Sequence, residues 1–185
     1  MPLKLPWTKE PADPYWDIFM NKAPADPANL PVEPIRRAKE GSVYPVQVET
    51  HTPPIMAQHL KDLAVFYGAH VVGIAQRADA SDGLPYAVVC ALRAPADPRT
   101  ALGFGGQTPA LFGAFVTFNL GSSIREFGFR CTKAGTEGAE RLAVAAGLGA
   151  LSSDGRVAHP TLGPLYLADV LYTDLPIAPD GKEAR

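Results

Sequence analysis

Eleven of the nineteen prolines in this 185-residue chain fall within its first 54 positions. Proline fixes φ, lacks an N–H and pushes the residue before it out of the helical region, and no helical or strand period is sustained among them. An extended, proline-rich N-terminal arm is therefore expected over 1–54, with the folded domain at 55–185. Pro-Ala-Asp-Pro stands at 11–14, 24–27 and 95–98, which local turn chemistry explains without a functional repeat. Trp7, Tyr15, Trp16, Ile18, Phe19 and Met20 make the arm too apolar to leave in water, so it packs on its own domain or on a second subunit. A homodimer with exchanged arms is compatible with those aromatics. Arg36, Arg37 and Lys39 read as a solvated basic face.

The remaining length suffices for one core. With 46% hydrophobic against 19% charged residues the chain is too apolar for disorder. Its formal charge of −2 implies no nucleic-acid partner. The longest apolar run, 142–151, is well short of the ~20 residues that span a bilayer, and the start lacks a signal-like hydrophobic region. The expectation is a cytoplasmic protein with no membrane partner. Two cysteines, Cys90 and Cys131, cannot supply a disulfide framework, a four-thiolate zinc site or the ligands of an iron–sulfur cluster.

From Thr52 the pattern becomes regular. Thr52-Pro53-Pro54 reads as a cap followed by proline where its missing N–H costs nothing. Met56, Leu60, Leu63, Ala64 and Tyr67 follow at helical spacing, which predicts a helix over about 54–67 closed by Gly68. The stretches 71–75 and 86–92 read as buried strands, and 93–107 as loop. Thr108-Pro109 repeats the helix start, with an apolar face of Leu111, Phe112, Phe115, Phe118 and Ile124 and a stop at Gly128. A strand at 129–134, a helix at 137–146 closed by Gly147, and a central strand at 165–175 complete an α+β pattern without regular βαβ spacing.

Motifs of ordinary catalysis are missing: no G-x-S-x-G, H-E-x-x-H, P-loop or C-x-x-C. The glycines Gly103, Gly105 and Gly106 lack the dinucleotide spacing and suit a flexible loop. His51, His59, His70 and His159 are scattered and read as surface or satisfied side chains, with His159-Pro160 raised slightly by its Gly- and Pro-bounded loop. Cys90 reads as inert. Cys131, between Arg130 and Lys133, could have a lowered pKa, although a structural thiol is the simpler reading.

Several stretches, in order, resemble the cobalamin-binding domain of reductive dehalogenases. The segment 56–74 (M-A-Q-H-L-K-D-L-A-V-F-Y-G-A-H-V-V-G-I) is similar to that family's helix running into a V-G-I strand. The segment 124–129 (I-R-E-F-G-F) resembles I-R-x-L-G-Y. Most specific is 146–164 (A-G-L-G-A-L-S-S-D-G-R-V-A-H-P-T-L-G-P), which falls without a gap on A-G-L-G-E-x-x-R-x-G-x-x-x-x-P-x-x-G-P, followed by 170–176 (V-L-Y-T-D-L-P) on V-x-T-D-L-P. The resemblance covers 55–176; the arm matches nothing.

What the resemblance implies is a nitroreductase-like sheet flanked by helices, holding cobalamin, a cobalt corrinoid, with its nucleotide base off the metal. Gly147, Gly149, Gly155 and Gly163 would leave room for a flat macrocycle and offer amides to its rim, or serve simply as caps and turns. The implied cofactor contacts are Gly147, Leu148, Gly149, Ala150, Leu151, Ser152 and Ser153 in one turn and His159, Pro160, Thr161, Leu162 and Gly163 in the next, with Phe112, Phe115 and Asn119 facing the ring from the long helix. Asn119, polar among phenylalanines, has either a ligand or a satisfied amide.

The departures are also specific. Ala150 and Ser153 stand where the family has Glu and Arg, and serine cannot supply the arginine's charge. Leu111 and Phe112 lie where a catalytic tyrosine is expected. The cysteine-rich segment of two iron–sulfur clusters and the twin-arginine signal are not found within these residues. The expectation is a corrinoid-binding, carrier or trafficking protein that does not dehalogenate, working without an iron–sulfur cluster of its own, with a cobalamin-requiring client as partner. The alternative is a cobalamin-dependent reductase, a dehalogenase or dealkylase, fed by an external electron donor such as a ferredoxin or flavoprotein. A flavin-binding nitroreductase relative ranks last, for want of a phosphate-binding basic cluster.

Overall fold

The computed structural model describes residues 26–98, 100–101 and 103–180. In chain order it contains α1 (Asp26–Arg37), α2 (Pro53–Phe66), β1 (Val71–Gln76), β2 (Tyr86–Arg93), α3 (Gly103–Glu126), β3 (Cys131–Gly135), α4 (Ala139–Ala145), β4 (Ala150–Leu151), β5 (Val157–His159), β6 (Gly163–Leu167) and β7 (Val170–Thr173). The expected α+β class holds. All the strand pairings are antiparallel, in a seven-stranded sheet of order β3-β7-β2-β6-β5-β4 with β1 on β2.

Glycine punctuation sets the helix ends where the sequence places them. After α2 the Gly68 N–H bonds Val65 O and the Ala69 N–H bonds Ala64 O; Gly128 with Phe129, and Gly147 with Leu148, repeat the pattern after α3 and α4. Each is a Schellman closure, which needs a left-handed residue at the glycine. Thr52 is the N-cap of α2 but its hydroxyl makes no capping bond. With prolines in the first two helical positions there are fewer orphan donors to satisfy.

Three expectations are corrected. The extended arm does not hold at 26–37, which is helical. Pro27 lies in the first turn, where no N–H is required, while Pro31 and Pro34 each forfeit a helical bond. Tertiary ties offset that loss. Lys133 Nζ donates to the carbonyls of Ile35, Arg36 and Ala38 at the C-terminus of α1 (3.3, 2.6 and 3.4 Å), and Arg36 forks onto Asp169 through Nε (3.0 Å) and Nη2 (2.6 Å). Arg36 is thus no solvated charge. Trp7, Tyr15, Trp16, Ile18, Phe19 and Met20 lie outside the described residues.

Second, α3 begins at Gly103 rather than at Thr108-Pro109. Gln107 is buried and its Nε2 donates to Ala101 O (2.9 Å), which ties down the first turn, and Pro109 inside the helix costs the single bond to the carbonyl four residues back. Third, the expected strand over 165–175 is two strands along one edge of β2. Leu167 pairs with Ala91 but Leu171 pairs with Val88, a one-residue shift that marks a bulge at Ala168 and Asp169. The line is central, as expected. It also forks the sheet, because β5 adjoins the start of β6 and not β7, while β3 pairs with β7 and not β6.

The pleat of β2 divides the core. Val88 and Cys90 face Leu60, Ile74, Val116, Leu120, Ile124 and Leu171, under α2 and α3. Ala87, Val89 and Ala91 face Ala139, Ala143, Leu148, Val157, Leu165 and Val170, under α4. Residues two apart share a face, so α3 and α4 cover opposite sides of the sheet. That division decides which predicted site residues can meet.

Candidate functional site

The two turns singled out by sequence are joined. Ala150 pairs with Ala158 and Leu151 with Val157 in a β4–β5 hairpin, and His159 pairs with Gly163 across the next turn. Gly149 fits beneath them: a Cβ there would lie 2.2 Å from Ala158 O and 3.1 Å from His159 Cα. The His159 turn is held from within, since Nδ1 accepts the N–H groups of Thr161 (3.2 Å) and Leu162 (3.3 Å). That geometry places the neutral ring's proton on Nε2. Pro160 and Thr161 are exposed and Leu162 is half-buried.

In the hairpin turn the Ser152 hydroxyl reaches Asp154 and Arg156 O (2.7 Å), and the Arg156 N–H bonds Asp154 Oδ1 (3.1 Å). These bonds hold the Asp154 carboxyl below its ordinary range, the Ser152 hydroxyl contributing most. Ser153 and Ala150 are exposed and Leu151 is 59% exposed. Leu148, in contrast, is buried in the core beneath α4; it fills the sheet's underside and offers nothing to a ligand.

Two depressions adjoin the hairpin and share Glu140. One, about 180 Å³, occupies the fork of the sheet and is lined by Arg36, Asp97, Arg156, Tyr166 and Leu167 among others. The other, about 570 Å³ and open to solvent, is lined by Glu137, Gly138, Glu140, Arg141, Leu151 and Gly155. Sequence reasoning named Leu151 and Gly155 but missed the fork, because it arises from a change of pairing partner along β6 and β7 that no local pattern encodes. Arg156 Nη2 donates to Ala94 O (2.5 Å) and Leu165 O (3.2 Å), so its charge fastens the hairpin to the fork. Arginines Arg36, Arg141 and Arg156 and carboxylates Asp97, Glu137 and Glu140 line the joint surface, which has no dominant sign.

Phe112, Phe115 and Asn119 do not join this face. They lie on α3, across the sheet from α4 and the hairpin. Asn119 Nδ2 donates to Phe115 O (2.8 Å) within its own helix. Leu111 and Phe112 carry no dissociable proton. The thiols are closed off: burial pushes Cys90 and Cys131 up to about 12. The cations flanking Cys131 in sequence are engaged elsewhere, Arg130 with Asp174 and Lys133 with α1. Among the described residues no cluster of three or more His, Cys, Asp or Glu could hold a metal, and no helix is long and apolar enough to cross a membrane.

No protein-family profile and no curated protein sequence matches the chain. Solved structures do. The catabolic reductive dehalogenase NpRdhA matches at 24% identity and a TM-score of 0.69, over 85% of this chain and 24% of that one. Its complex with 3-bromo-4-hydroxybenzoic acid matches at 24% and 0.70, over 85% and 25%. A reductive dehalogenase structure described as suggesting a mechanism for B12-dependent dehalogenation matches at 24% and 0.67, over the same shares. The chain therefore has a reductive dehalogenase-like α+β fold, and spans about a quarter of the length of those enzymes.

Proposed function

We propose that this chain binds a corrinoid, base-off, on the face formed by the β4–β5 hairpin, the His159 turn and the start of α4, as a binding, carrier or trafficking protein rather than a dehalogenase. The fold shared with a B12-dependent dehalogenase carries the reading, and the local geometry suits it. A Cβ placed on Gly147, Gly155 or Gly163 would meet no heavy atom within 4 Å, so these turns present open backbone. The 570 Å³ depression beside Leu151 and Gly155 lies within the ~300–1,000 Å³ usual for small-molecule sites. Being open, it fits the group as one wall. A mixed, sign-balanced lining suits a rim of neutral amides.

A bound corrinoid would supply the cobalt redox chemistry; the residues here supply placement. Ala150 and Ser153, at the positions where the resemblance expects Glu and Arg, are exposed and uncharged, and the nearby guanidinium of Arg156 is committed to main-chain carbonyls. Those features favour binding over catalysis. Titrating hydroxocobalamin into the full chain is expected to shift the visible spectrum and to give a coloured species on gel filtration. Leu151→Glu, at an exposed position, should weaken that complex about tenfold, as expected for losing one apolar contact worth ~1.5 kcal/mol, with its melting temperature kept. Absence of both the spectral shift and co-elution would sink the reading.

A further inference from the structure

The outer face of α3 is unexplained by that site. Phe112, Phe115 and Phe118 are 48%, 47% and 37% exposed. At intervals of three residues they make one stripe about 9 Å long, and Phe112 reaches Gly68 at the end of α2, near the 82% exposed Phe66. A contiguous aromatic stripe, unlike isolated exposed apolar residues, marks an interaction surface. It lies across the sheet from the proposed corrinoid face.

The same chain carries a complementary segment. Within 15–20, five of six residues are large and apolar: Tyr15, Trp16, Ile18, Phe19 and Met20. Only five residues separate Met20 from the start of α1, a reach of up to about 20 Å. Helix α1 packs along α3, and the chain leaving it, Ala38 to Glu40, runs beside Thr117 and Phe118. The segment that precedes α1 is therefore tethered to a helix packed on α3, within reach of it and at a high effective concentration.

We infer that residues 15–20 dock in cis on the Phe112, Phe115 and Phe118 face of α3. On this reading Phe112 and Phe115, which the resemblance assigns to the corrin ring, serve the arm instead, and Phe115 is the middle anchor of the stripe.

Tryptophan emission tests this directly, because the chain's two tryptophans, Trp7 and Trp16, both precede α1. In a Trp7→Phe background the signal is Trp16 alone. The native, cofactor-free monomer should emit to the blue of the urea-unfolded chain. Phe115→Glu should move emission to the red while far-UV circular dichroism stays unchanged, and Val46→Glu, another exposed apolar position, should leave emission where it was. Native emission matching that of the unfolded chain would overturn the inference, as would a blue emission indifferent to Phe115→Glu. A blue shift that vanishes on dilution, together with a dimer by light scattering, would assign the face to a second copy and overturn docking in cis.

Discussion

Gly149 shows how one residue's role is fixed by what approaches it. Its φ of +150° lies where side chains are strained, and the Ala158 carbonyl occupies the place of a Cβ at 2.2 Å. Since that oxygen belongs to the paired β5 strand, it cannot yield as a flexible side chain would. Gly149→Ala is expected to cost at least ~1–3 kcal/mol of stability, read as a lower urea midpoint, whether or not corrinoid is present. A midpoint equal to the wild type's would show that the β4–β5 hairpin shifts freely. The glycine was legible in sequence as a candidate contact, but the oncoming carbonyl was not: a backbone approach across nine positions leaves no local mark. Leu148 is similar, since a leucine in a glycine-rich turn looks equally suited to a ligand or to the core.

Elements were legible where punctuation is local. Thr52-Pro53-Pro54, Gly68, Gly128 and Gly147 set helix ends by short-range hydrogen bonding, and β1 and β2 announce themselves as apolar runs. The failures depend on distant partners: α1 persists beneath its prolines because Lys133 and Asp169 hold it, and the β6–β7 bulge appears only in register with β2. The hairpin turn at Ser152–Arg156 lies between these cases, and its aspartate makes it testable. Asp154 is held below its ordinary range of ~3.9, so its ionised form is preferred in the folded turn. The stabilisation it provides is present above that ordinary value and is lost as pH falls through the lower, folded one. Asp154→Asn imitates the protonated state. The variant should be less stable than the wild type at pH 7, and the gap in urea midpoints should close below about pH 4. A gap that persists into acid would mean that shape, not charge, holds the turn.

At the scale of the whole molecule, the tie between Arg36 and Asp169 links α1 to the centre of the sheet. Asp169 is 6% exposed and sits in the bulge, whereas the Arg36 side chain is 34% exposed; the guanidinium is raised above its ordinary range chiefly by hydrogen bonding to that carboxylate. Without Arg36 the carboxylate would remain buried and lose its forked donor. Arg36→Ala is therefore expected to cost about 1–3 kcal/mol. At ~2–4 °C per kcal/mol for a domain of this size the melting temperature should fall by several degrees. Arg36→Lys can restore charge but not the two-pronged geometry, so it should recover part of the loss. Because α1 touches the sheet's fork through this pair and α3 along its length, hydrogen exchange should rise first in α1 while β2 and β6 stay protected. Uniform loss of protection across all three would show instead that α1 and the sheet unfold as one unit, and an unchanged melting temperature that Lys133 alone suffices to hold the helix.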